Sequence, residues 1–142
     1  MNTTAKKKKN EGFSAEEKAA MRARAKELKA AAEGESAIRD ALAGMSPADR
    51  AIGKRIHELV KETAPDLVPK TWYGMPAYAN KDGKVVVFFR NAEKFKERYS
   101  MLGFNDSANL DQGSMWPIAY ALPKLTKADE AKIRTLVKKS VS

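Results

Sequence analysis

Three carboxylates with the spacing of a metal site recur every four positions, at Glu58, Glu62 and Asp66. On a helix the first two side chains share one face, and the third falls just beyond the predicted helix end. Carboxylate oxygens at this spacing can hold a hard or borderline cation such as iron or calcium. Arg55 and Lys61 stand nearby, and charges on the exposed face of an amphipathic helix need no ligand. The sequence leaves both interpretations open.

A second group combines aromatic and basic residues in a region of predicted strands. Alternation along a strand sends neighbouring aromatic side chains to opposite faces, so one set packs in a core and the other is covered by a helix or lines a cleft. Rings beside cations can stack bases or hold an anionic small molecule, although core packing is the ordinary role of such residues. The candidate pocket residues are Trp72, Tyr73, Met75, Tyr78 and Trp116, and the candidate anion-binding residues are Lys70, Lys84, Arg90 and Arg98.

Groups that could carry catalysis are few. His57 is the only histidine, and it lies off the apolar stripe of its predicted helix, between Lys54 and Lys61 at helical spacing. We therefore expect a surface histidine rather than a base or a metal ligand. The absence of cysteine excludes disulfides, thiolate zinc sites and cysteine nucleophiles. No nucleophile, acid and base stand in a recognisable arrangement, so the sequence predicts a non-enzymatic binding module, with iron as the one cofactor to consider.

The length and charge of the chain narrow the classes of partner. The 142 residues suffice for one domain, and the net charge of +9 favours anions such as nucleic acid, although it also serves solubility. The longest apolar run, 85–89, is far shorter than the roughly 18 to 20 residues that span a bilayer. The first residues lack the apolar stretch of a secretory signal. We expect a cytoplasmic protein without a membrane partner.

The N-terminal third is predicted to be helical after a polar tail. Residues 1–12 are rich in lysine and are expected to be disordered. Residues 13–45 form a helical extension, in which Ser14 and Glu17 make a capping box for a helix over 15–32. Gly34 is predicted to end that helix, and a short second helix is expected over 36–43.

The domain proper is predicted to span residues 46–142. Ser46 and Pro47 mark the start of a helix with an apolar stripe, and Pro65 ends it. Strand patterns follow, with a hairpin signal at Asp82-Gly83 and a last helix that begins at Thr126. The layout predicts an α+β fold, with a small antiparallel sheet of four or five strands flanked by helices.

The chain resembles the YdhG-like family of small bacterial domains. The resemblance rests on the segments 72–78 (WYGMPAY), 82–89 (DGKVVVFF), 99–104 and 110–117 (LDQGSMWP) and covers about residues 46–139. It implies an α+β fold, and some members are described as frataxin-like iron chaperones that pass iron to a client protein. In this sequence the nearest equivalents of iron ligands are Glu58, Glu62 and Asp66. The charge supports an alternative function, an anion- or nucleic-acid-binding module.

Overall fold

The computed structural model describes residues 13–142, which form three helices and five strands. The expected disordered tail, residues 1–12, lies outside the described residues. In chain order the elements are α1 (Ala15–Ala43), α2 (Pro47–Thr63), β1 (Val68–Trp72), β2 (Met75–Ala79), β3 (Val85–Arg90), β4 (Ser100–Phe104), β5 (Ala119–Leu122) and α3 (Lys127–Ser140).

The five strands form one antiparallel sheet in the order β1-β2-β3-β4-β5, so each strand pairs with its neighbour in sequence. The predicted α+β class is confirmed. The apolar run of β3 occupies the centre of the sheet, as its composition predicted. Ala79 of β2 pairs with Val85, whereas Tyr78 pairs with Val87, so a bulge at this point shifts the alternation of β3.

The capping residues identified in the sequence lie at the helix starts in the structure. The Ser46 side chain accepts a hydrogen bond from the backbone N–H of Asp49 at the start of α2. Thr126 and Asp129 bond each other reciprocally at the start of α3, and Ser14 and Glu17 do so at the start of α1. Each arrangement satisfies backbone donors that a helix leaves free in its first turn.

Gly34 does not end the first helix, contrary to the sequence prediction. Helix α1 runs without interruption through it, and Gly34 is buried where the helix crosses β1. A Cβ atom at this position would collide with the carbonyl oxygen of Pro69. Gly34 is therefore present because the helix and the strand approach closely, and glycine inside a helix costs only about 1 kcal/mol relative to alanine.

The core lies between one face of the sheet and the three helices. From the sheet it includes Val87, Phe89, Leu102 and Phe104, all essentially inaccessible to solvent. Ile38 of α1 is equally buried, so the packed unit includes the last third of α1 as well as residues from 46 onward. No helix within residues 13–142 is long and apolar enough to cross a membrane.

Candidate functional site

One face of the sheet lies outside the main core cluster and presents a row of side chains across the strands. Phe88 alternates with the core residues Val87 and Phe89, so it points away from the helices. The strand registers align it with Lys70, Ala77, Gly103 and Ala119. Apart from Phe88, the residues of this row are small or basic.

Three aromatic rings meet on this face. The centroid of Trp72 lies 5.2 Å from that of Phe88 and 5.0 Å from that of Tyr73, with interplanar angles of 60° and 65°. Gly103 makes this arrangement possible, because a Cβ there would collide with the Phe88 ring. We call Trp72, Tyr73 and Phe88 the aromatic cluster.

Tyr73 is the most exposed member of the cluster, at 78%. It occupies the β1–β2 turn with φ of 52°, followed by Gly74 with φ of 76°. Two successive residues with positive φ are characteristic of a type I′ hairpin turn, whose first position favours Asn, Asp or Gly. A tyrosine there is held in an uncommon backbone conformation, and its ring stands in solvent beside Trp72.

A groove of about 550 Å³ runs along the same face and is lined by Lys70, Trp72, Lys84 and Val85, together with Asn105, Asp106 and Ser107 from the loop after β4. Lys70 and Lys84 are both exposed. The groove thus combines two cations with an aromatic wall, and Asp106 is the one carboxylate among these residues. This arrangement suits an anionic ligand that carries a flat apolar part.

The other basic candidates lie away from the groove. Nε of Arg90 lies 2.7 Å from Oε1 of Glu97, and its guanidinium stacks on the Phe95 ring. The guanidinium of Arg98 lies 5.1 Å from the centre of the Tyr99 ring. Of the four predicted anion-binding residues, the structure therefore brings together Lys70 and Lys84.

The predicted pocket residues also divide between the two faces. Trp72 and Tyr73 are in the aromatic cluster, and Met75 pairs with Trp72 across the hairpin but is buried. Tyr78 lies within the core, and Trp116 packs against the core. The strand alternation that the sequence shows cannot by itself reveal which face the helices cover.

The three candidate metal ligands are not gathered into one cluster. Glu58 pairs with Arg55 at 2.9 Å, and Glu62 pairs with Arg134 at 3.4 Å. Over residues 13–142 no group of three or more histidine, aspartate or glutamate side chains is placed to hold a metal ion. The metal site at Glu58, Glu62 and Asp66 stays a prediction.

The prediction that His57 lies on the surface is wrong. Its side chain is only 14% exposed, and both ring nitrogens are engaged. Nδ1 lies 2.8 Å from the hydroxyl of Tyr78, and Nε2 lies 2.8 Å from Oε1 of Glu35, whose second oxygen bonds Lys61. The sequence did not predict this series of hydrogen bonds, because the partners of His57 come from α1 and β2. Only the four-residue spacing of His57 and Lys61 is visible locally.

No family model matches this chain, and no curated protein or solved structure matches it either.

Proposed function

We propose that the protein binds single-stranded nucleic acid on the open face of its sheet. The observation that carries the proposal is the aromatic cluster of Trp72, Tyr73 and Phe88 beside Lys70 and Lys84. Bases stack on such rings regardless of sequence, and each stacked base contributes about 1–3 kcal/mol. Lysines along the groove neutralise backbone phosphates, and the overall charge of +9 assists the approach of a polyanion.

A single strand fits this face better than a duplex. The rings lie on the sheet and at its first hairpin, so a base has to be unstacked to reach them, and unpaired strands offer such bases without the cost of opening a helix. Tyr73, exposed at the turn, would offer a further ring for base stacking beyond the edge of the groove.

Iron delivery, which the family resemblance implies, is less well supported by the contacts. Glu58 and Glu62 already face Arg55 and Arg134, so an iron ion at these carboxylates would have to displace two guanidinium groups. In the groove the charges are mostly positive, so an anionic ligand would not have to displace paired groups in the same way.

The proposal is tested by fluorescence anisotropy with a labelled single-stranded RNA and the matching duplex, at two salt concentrations. We expect tighter binding of the single strand, weakened by salt with a logarithmic slope of about 0.7 for each phosphate contact. Trp72→Ala should weaken binding about 5- to 150-fold, the equivalent of the stacking energy of one base. Tyr99→Ala, which removes another half-exposed aromatic ring beside an arginine, is the matched control and should leave affinity unchanged. Equal loss in both variants would contradict the proposal.

A further inference from the structure

The two edges of the sheet differ in what lies against them. At one edge α1 crosses β1, where Gly34 lies directly against the carbonyl of Pro69. At the other edge β5 pairs with β4, and within residues 13–142 no element pairs with its outer side. Both alanines of this strand, Ala119 and Ala121, are exposed. An open strand edge is a template onto which another extended chain can pair.

The hydrogen bonds between β4 and β5 show which backbone groups face outward. The N–H of Phe104 bonds the carbonyl of Ile118 at 2.7 Å, so these opposite residues form a hydrogen-bonded pair. Such pairs alternate along an antiparallel ladder, so Tyr120 also bonds β4, whereas Ala119 and Ala121 direct their N–H and C=O groups away from it. No described residue bonds these outward groups. The edge therefore offers two donors and two acceptors to an added strand.

Prolines limit the length of this open edge. Pro117 and Pro123 bracket the strand, and neither has an N–H to donate. An added ladder is therefore confined to the two alanines between them. Four backbone hydrogen bonds suit a short extended segment, and contacts of its side chains have to supply the selectivity.

The side chains of β5 define what such a segment should carry. Residues opposite Ala119 and Ala121 would lie beside small side chains on the open face of the sheet, which leaves room for β-branched residues. The residue opposite Tyr120 would point to the helix side, because Tyr120 packs against the core there. On that side Nζ of Lys132 lies 5.5 Å from the centre of the Tyr120 ring. A carboxylate at this middle position would therefore meet an ammonium group.

The charge around this edge is positive. Lys124, Lys127 and Lys132 are all exposed. Asp129, the first carboxylate after β5 in the chain, is used in the cap of α3, where it accepts a hydrogen bond from the N–H of Thr126. The net charge of +9 opposes pairing with a second copy and attracts an acidic partner.

We propose that the outer edge of β5 binds an extended acidic segment of a partner protein by strand addition. The segment places β-branched residues opposite Ala119 and Ala121 and carboxylates at the alternate positions, toward Lys132 and Lys124. This surface is separate from the basic groove, since none of these residues lines it.

The direct test is an NMR titration of the ¹⁵N-labelled full chain with a short capped peptide in which valine and glutamate alternate. We expect saturable shifts and slowed hydrogen exchange of the Ala119 and Ala121 amides, because both gain an acceptor. A peptide with lysine in place of glutamate, and one with N-methylated valines, should produce neither effect. No saturable shift, shifts that spare β5, or an equal response to either control peptide would overturn the proposal.

Two charge reversals test the acidic character of the partner. Lys132→Glu should weaken binding of the valine–glutamate peptide about threefold or more. Lys29→Glu makes the same charge change at an exposed position in the first half of α1 and should leave affinity unchanged. Equal weakening in both variants would show attraction by overall charge alone and would refute the site.

Self-association through the same edge gives a different result. Sedimentation velocity of the full chain without peptide should show a monomer, with fast exchange of the Ala119 and Ala121 amides. A dimer in which these two amides are protected would mean that a second copy occupies the edge, and it would contradict an acidic partner.

Discussion

The hydroxyl of Tyr78 lies 2.8 Å from Nδ1 of His57, and this contact begins a hydrogen-bonded chain that continues through Glu35 to Lys61. The chain joins β2, α2 and α1. Burial raises the pKa of Tyr78, with a further contribution from the charge of Glu35, so the phenol stays protonated. In the arrangement that satisfies every group, Tyr78 donates to Nδ1 and Nε2–H donates to Glu35. The chain thereby fastens the end of α1 to the sheet.

Removing the hydroxyl of Tyr78 should lower the free energy of unfolding, because it breaks this hydrogen-bonded chain. Tyr78→Phe keeps the buried ring but leaves Nδ1 of His57 without its donor, so we expect the free energy of unfolding to fall by about 1–3 kcal/mol. Urea denaturation gives this value directly. Tyr99→Phe, at a partly exposed ring, should change stability by less than about 0.5 kcal/mol and serves as the control. Equal effects of the two substitutions would show that the buried chain contributes nothing.

Stability should fall in acid through Glu35. Partial burial opposes ionisation of this carboxyl, but hydrogen bonds from Lys61 and His57, together with the positive charge of Lys61, outweigh it and hold its pKa below the ordinary value. A carboxyl whose pKa is lowered by folding stabilises the protein above its unfolded pKa, about 4.3, and that stabilisation is lost as pH falls through the folded pKa. Unfolding free energies measured from pH 7 down to pH 3 should therefore decline less steeply for Glu35→Gln than for the natural protein. Parallel declines in the two proteins would show that Glu35 does not cause the loss of stability in acid.

Gly34 should be irreplaceable where α1 crosses β1. Gly34→Ala improves helix propensity by about 1 kcal/mol but places a methyl group against the Pro69 carbonyl, so we expect a net loss of about 1–3 kcal/mol. Gly44→Ala, where the nearest atoms to a new Cβ are 3.8 Å away, is the matched control and should be close to neutral. Thermal melts of the two variants give the comparison, and a stabilised Gly34→Ala protein would contradict the close approach.

The first half of α1 should be dispensable for folding. No residue from 13 to 33 is buried, and the helical part of this segment, residues 15–33, is roughly 28 Å long at 1.5 Å per residue and buries little against the rest of the domain. Deletion of residues 1–30 should leave the Tm nearly unchanged, whereas deletion through Leu42 removes Ile38 and Leu42 from the core and should prevent folding. Circular dichroism melts distinguish the two cases. A folded protein after the longer deletion would support the domain start predicted at residue 46.

Sequence patterns predicted the elements more successfully than their contacts. Capping residues located the starts of all three helices because caps act within a few positions of the chain, and the apolar run of β3 indicated the central strand. The continuity of α1 through Gly34 was missed because the reason for that glycine, the passage of β1, lies 35 residues away. The role of His57 depends in the same way on which partners the fold brings near.

The candidate groove was predicted in part. Lys70, Lys84 and Trp72 were selected from the sequence, and the structure places them in one groove. Tyr78 was selected with them but faces the core, because alternation identifies two faces without saying which one the helices cover. The bulge in the β2–β3 pair, which shifts the alternation of β3, gave no clear local signal.

The most direct test of nucleic-acid binding on this face is the fluorescence of Trp72 itself. The chain has two tryptophans, so Trp116→Phe leaves Trp72 as the single reporter. Titration of this variant with single-stranded RNA should quench the emission saturably, because a base stacks on the indole, with the same Kd as anisotropy reports for the same variant. Rising anisotropy with unchanged Trp72 emission would place the RNA elsewhere on this basic protein and contradict the proposed function.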